Sequence, residues 1–103
     1  MHRIRFTFSK FGKARWIGNL DLHRTWARIL RRAGVPIAYS QGFNPQPRMQ
    51  LASALPLGIT SECEILDVWV LNKILVDILM KQLEVELPVG IKILEIEEVD
   101  LKQ

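Results

Sequence analysis

The sequence is short of the residues that most often carry chemistry. It holds one cysteine, Cys63, and two histidines, His2 and His23. A lone cysteine excludes an internal disulfide, and a reducing cytoplasm is the expected compartment. Two histidines and one cysteine, far apart, offer no metal-ligand spacing and no cluster motif, so neither a metal nor an iron–sulfur centre is expected. No apolar run approaches the roughly 18 residues of a membrane span, so no membrane is expected as partner. No signal segment opens the chain either, because Arg3 and Arg5 are followed by Thr7, Ser9 and Lys10. The G-x-x-x-x-G-K-[ST] phosphate loop is missing. Glu64 and Asp67 stand three apart in a strand-like stretch and so face opposite ways, which denies them an acid/base partnership. No cofactor is expected, nor catalysis by this chain alone.

Acidic residues are scarce in one half only. From Met1 to Gln50 the bases are Arg3, Arg5, Lys10, Lys13, Arg15, Arg24, Arg28, Arg31, Arg32 and Arg48, against the single acid Asp21. The other half is acidic, and the chain as a whole carries +3. Such polarity implies a basic face for a polyanion or an acidic partner, unless the two halves neutralise each other across the fold.

What is present is a clear series of elements, and 49% apolar residues suffice for a core. Residues 2–10 alternate, with Ile4, Phe6 and Phe8 on one side and Arg3, Arg5, Thr7 and Ser9 on the other, as in a half-buried strand. Lys10 to Arg15 is a basic turn around Gly12, a weak phosphate signal. Trp16 and Ile17 are expected to pack at the core edge. A helix is expected over 19–33, with Asn19 as N-cap, and Leu22, Trp26, Ile29, Leu30 and Ala33 as its apolar stripe. Gly34 reads as its stop, with Pro36 just beyond. Arg24, Arg28, Arg31 and Arg32 fall on the opposite face, in an arc of about 100°.

A short strand is expected at Met49–Ser53, then a turn-rich connection, Leu55-Pro56-Leu57-Gly58-Ile59. A longer strand, Glu62–Leu71, has Cys63, Ile65, Asp67 and Trp69 on one face, with Asp67 placed to pair with Arg3 or Arg5. A second helix is expected over 73–87, capped by Asn72, with Leu75, Ile78, Leu79, Leu83 and Leu87 as its stripe. Ile91–Val99 is the last strand, with Leu94 and Ile96 buried. The order strand, helix, strand, strand, helix, strand implies an α+β, ferredoxin-like βαββαβ sandwich. Residues 1–103 form one domain, with both helices on one face of a four-stranded antiparallel sheet. Arg3, Arg5 and Thr7 then point to the open face. That face lacks the paired aromatics of the RNA-recognition fold on its first strand.

The stretch Tyr39 to Arg48 is the candidate binding loop. Pro45 and Pro47 fix two φ angles, and Gly42 permits a backbone other residues avoid. Asn44 and Gln46, each before a proline, are pushed towards extended conformations. A stiff loop would thus hold the amides Gln41, Asn44 and Gln46, the aromatic Phe43 and the guanidinium of Arg48 in place for recognition. The plain alternative is a connector whose Phe43 plugs the core. The candidate binding set is therefore Arg3, Arg5, Lys10, Lys13, Arg15, Arg24, Arg28, Arg31 and Arg32 with Ser40, Gln41, Gly42, Phe43, Asn44 and Arg48. No residue is assigned a catalytic role.

Several runs carry a family resemblance. They are Gly18-Asn19-Leu20-Asp21-Leu22, Arg31-Arg32-Ala33-Gly34, Tyr39 to Arg48, Leu55-Pro56-Leu57-Gly58, Glu64-Ile65-Leu66-Asp67 and Leu87-Pro88-Val89-Gly90. Together they resemble the N-terminal half of the uncharacterised radical-SAM-linked domain, found fused to or encoded beside radical S-adenosylmethionine proteins. The resemblance implies such a protein as partner and implies no reaction. The expected role is a non-catalytic recognition domain that binds RNA (tRNA-like) or another anionic substrate. The alternatives are a small enzyme or cofactor-binding domain with its site at Tyr39–Arg48, and an interaction domain for an acidic protein.

Overall fold

The computed structural model describes residues 1–53 and 62–101. The elements run β1 (His2–Lys10), a 3-10 turn (Gly12–Trp16), α1 (Asn19–Arg32), β2 (Met49–Ser53), β3 (Glu62–Val70), α2 (Val76–Glu84) and β4 (Ile91–Val99). The strands form one antiparallel sheet in the order β2-β3-β1-β4. This is the ferredoxin-like arrangement. The connection Leu55–Ile59 lies outside the described residues. No helix among the described residues is long and apolar enough to cross a membrane.

The alternation of β1 sets the layers. Ile4, Phe6 and Phe8 are buried against the helices, and Trp26 of α1 reaches them, its ring centroid 5.7 Å from Phe6 and 5.0 Å from Phe8. Opposite them β3 supplies Leu66, Val68 and Val70, all buried, at the positions its register with β1 requires. Leu79 and Leu83 of α2 join the same core.

Helix α1 follows its sequence signals closely at its end. Leu22, Trp26, Ile29 and Leu30 are buried. Gly34 adopts φ +77, its amide donates to Arg31 O at 3.1 Å, and the Val35 amide donates to Leu30 O at 3.0 Å. That pair of bonds is the Schellman closure, which satisfies carbonyls the helix would otherwise leave bare. At its start Gly18, not Asn19, is the N-cap, and no side chain caps it.

Three expectations need correction. Helix α2 begins at Val76, after Leu75, rather than at Lys73 with an Asn72 cap. Leu75, the N-cap, has an extended backbone with φ −73 and ψ 128, and no side chain caps the helix there. The buried face of α2 is accordingly Leu79 and Leu83, whereas Leu75 and Ile78 are exposed. In β4, Leu94 is exposed and Ile91, Ile93 and Ile96 are buried. The register with β1 steps from Thr7↔Glu95 to Phe8↔Ile93, so Leu94 is the extra residue of a bulge, and the strand's alternation reverses there. Finally, Trp16 is 80% exposed, with Arg15 stacked 5.7 Å from its ring, and only Ile17 packs on the core.

Candidate functional site

The chain leaving α1 doubles back as a small hairpin. Tyr39 bridges Pro47, and the Ser40 amide donates to Gln46 O at 2.8 Å. The Ser40 Oγ accepts from the Gln46 amide at 3.0 Å, so this hydroxyl braces the loop. The base is sewn to β3: Ala38 N donates to Trp69 O at 2.8 Å and Trp69 N to Arg48 O at 3.0 Å, while Arg48 N donates to Ala38 O at 2.8 Å. Proline spacing and backbone bonds together hold this loop. Gly42 sits at its tip with φ +128, and a Cβ there would meet nothing within 4 Å. Gly42→Val is therefore expected to act through backbone strain alone. It should lower stability by about 1 kcal/mol, the low end of such strain because an exposed tip can partly relax. A urea melt unchanged by this substitution would show that the tip is not held. Phe43 stands fully exposed and plugs no core, and Gln41 and Asn44 are exposed beside it.

The hairpin has two sides. One faces α1, where Tyr39 and Pro47 line a groove of about 640 Å³ with Asp21, Arg24, Thr25, Ala27, Arg28 and Arg31. Tyr39 is half exposed, and the three arginines are exposed. Among the described residues no carboxylate comes within 4 Å of those guanidinium groups. Arg32 lies round the helix in a separate recess with Thr25, Arg28, Ile29, Glu86 and Pro88.

The other side of the hairpin meets the open face of the sheet. Arg48 lies 5.4 Å from the Trp69 ring centroid, and Arg3, opposite Trp69 in the register, lies 5.0 Å from it. Cation–π contact of this kind fixes Trp69 between β1 and the loop. Trp69 was not among the candidate binding residues. Its parity with Asp67 is the signal that places it on this face.

The sheet's own cations are engaged by carboxylates. Arg3, 6% exposed, and Asp67, 5% exposed, form a buried pair through Arg3 Nε and Nη2. Arg5 adds Nε to Asp67 Oδ1 at 2.8 Å and Nη2 to Oδ2 at 3.1 Å. Burial works against ionisation of Asp67, but the hydrogen bonds and charges of Arg5 and Arg3 outweigh it and hold the carboxyl below its ordinary value. The hydrogen bond to Asp67 in turn raises Arg5. Lys10 was expected on the open face or its turn. It continues the even-numbered, helix-facing series of β1, and its Nζ pairs at 3.1 Å with Glu64, the residue opposite Phe8. Lys13 and Arg15 are exposed on the 3-10 turn, away from the hairpin groove's lining. The structure thus brings together Arg24, Arg28 and Arg31 with the hairpin, and it commits Arg3, Arg5 and Lys10 to internal pairs. Among the described residues no group of three His, Cys, Asp or Glu side chains could hold a metal ion.

The model of a family described as an uncharacterized protein conserved in bacteria (DUF2344) matches residues 3–103. The chain belongs to the DUF2344 family. No curated protein and no solved structure matches it. The match spans every element of this DUF2344 domain except the first residue of β1. The hairpin groove and the Arg3–Asp67–Arg5 cluster therefore both lie inside the matched residues.

Proposed function

We propose that this DUF2344 domain is a non-catalytic recognition module for an anionic substrate, RNA in the first place. It would act in the cytoplasm beside a radical S-adenosylmethionine protein. One observation carries the binding half of the proposal. Arg24, Arg28 and Arg31 have no described counter-ion and share a groove with the braced hairpin. Cations without partners gain most from a polyanion, because nothing inside the protein must be displaced. The radical S-adenosylmethionine partner is supported by the sequence resemblance alone.

Fluorescence anisotropy with tRNA across a salt series tests the binding half. Affinity should fall as salt rises, with log K dropping by roughly 0.7–0.9 per neutralised phosphate per decade of salt. Arg28→Glu combined with Arg31→Glu should weaken binding strongly at unchanged Tm. Lys13→Glu with Arg15→Glu, equal in charge change but outside the groove, should have a much smaller effect. If both pairs weaken binding equally, the groove is not the site; if neither does, or if the wild type binds no RNA at low salt, an acidic protein becomes the partner to seek.

A further inference from the structure

The groove between α1 and the hairpin has a more specific shape than a basic patch. Arg24, Arg28 and Arg31 lie on one strip of the helix, because steps of four and three residues return to nearly the same angle. At the rise of an α-helix they are spaced by about 6 Å and then about 4.5 Å along the axis. The long guanidinium arms of such a row can spread over successive phosphates of an extended strand. The far wall is different in kind: Tyr39, half exposed, and Pro47 present an aromatic and an apolar surface opposite the guanidinium row. Asp21 closes one end of the same groove with a carboxylate. A phosphate is unwelcome there, whereas the amino edge of a base is a good donor to it.

We infer that the groove takes single-stranded RNA. Successive phosphates lie along Arg24, Arg28 and Arg31, one base stacks on Tyr39, and a base amino group meets Asp21. This deepens the function proposed above and rests on it. Its volume of about 640 Å³ is that of a site for a drug-sized ligand, one or two nucleotides and not the width of a duplex. A row of cations facing an aromatic wall is the general plan of single-strand binding, where backbone charge and base stacking are read separately. A free nucleotide offers the same phosphate-and-base chemistry, so the test must separate it from a strand.

The test uses the whole chain and four probes: a short unstructured RNA, a duplex RNA of equal length, inorganic polyphosphate, and ATP as competitor. The unstructured RNA should bind more tightly than the duplex, and ATP should displace it only at far higher concentration. Tyr39→Ala should weaken the single strand roughly tenfold or more, the size of one lost base stack. It should leave polyphosphate binding unchanged, and Tyr39→Phe should restore the single strand. Arg28→Gln with Arg31→Gln should weaken RNA and polyphosphate alike. A Tyr39→Ala variant that binds all probes like the wild type overturns the stacked-strand inference while leaving an anion site in place. Equal affinity for duplex and single strand does the same. Displacement by ATP at matched concentration reassigns the groove to a free nucleotide. Absence of binding to every probe at low salt overturns both this inference and the proposed function.

Discussion

Trp26→Ala is expected to lower the unfolding free energy by roughly 3–5 kcal/mol. Trp26 is 0% exposed and packs on both Phe6 and Phe8, so it joins α1 to the centre of the sheet. Removing it opens a cavity between layers that a four-stranded sheet cannot collapse to fill. For a domain whose total stability is of order 5–15 kcal/mol, that loss is a large share, and Tm should fall by roughly 15 °C or more. The indole Nε1 is buried without a hydrogen-bond partner among the described residues. A buried donor left unpaired is itself destabilising by about 1–3 kcal/mol. Trp26→Phe should therefore be far milder than Trp26→Ala, since it retains a ring and removes the stranded N–H. Equal losses for the two variants would mean that aromatic packing against Phe6 and Phe8 is not what holds the layers together.

Asp67→Asn should be nearly as damaging at neutral pH, by roughly 3 kcal/mol, because it leaves the guanidinium of Arg3 buried and uncompensated. Arg5 is less enclosed and can turn to water, which keeps the loss at the lower end of that for a broken buried pair. The pH dependence has a definite sign. Asp67 has its carboxyl pKa depressed in the fold, so its contribution is complete above the unfolded value near 4. It is lost as pH falls through the lower folded value. Urea denaturation of wild type and variant should show a wide gap at pH 7 that narrows on acidification below about pH 4. A gap that stays constant into that range would mean that the charge of Asp67 does not stabilise the sheet. Arg3→Glu with Arg5→Glu would disrupt the same cluster, which makes those arginines poor reporters of ligand binding.

The parts of the fold that were legible in the sequence are those where one physical rule acts alone. The alternation of β1, the stripe of α1 and its Gly34 stop all depend on local periodicity and backbone geometry. A pairing of Asp67 with Arg3 or Arg5 followed from placing it at the sheet's centre, and the structure joins it to both. The errors arise where two rules compete. Lys10 obeys the strand's alternation and turns inward to Glu64, although its charge suggested the surface. Leu94 is apolar yet exposed, because the bulge that moves it out is a property of the β1–β4 register and has no signature in the strand's own residues. The stripe of α2 was misread because the helix starts at Val76, so that Leu75 stands outside it as the N-cap. At the candidate site, the unusual backbone of Gly42 was readable from the sequence. Which arginines the loop would meet was not, since that depends on how the hairpin is tied back to Trp69.

The bulge at Leu94 has a consequence for the molecule among its own copies. β4 is the outermost strand beside β1, and its outer rim is the natural place for a second sheet to attach. A bulge sharpens the local twist, and a twisted edge cannot lie flat against another. Just beyond it stand Glu95, Glu97 and Glu98. Were two β4 strands to meet antiparallel about Glu97, these carboxylates would be brought close together, and like charges directly opposite one another are destabilising. The β4 rim is thus guarded twice, by shape and by charge, against pairing with its own copy.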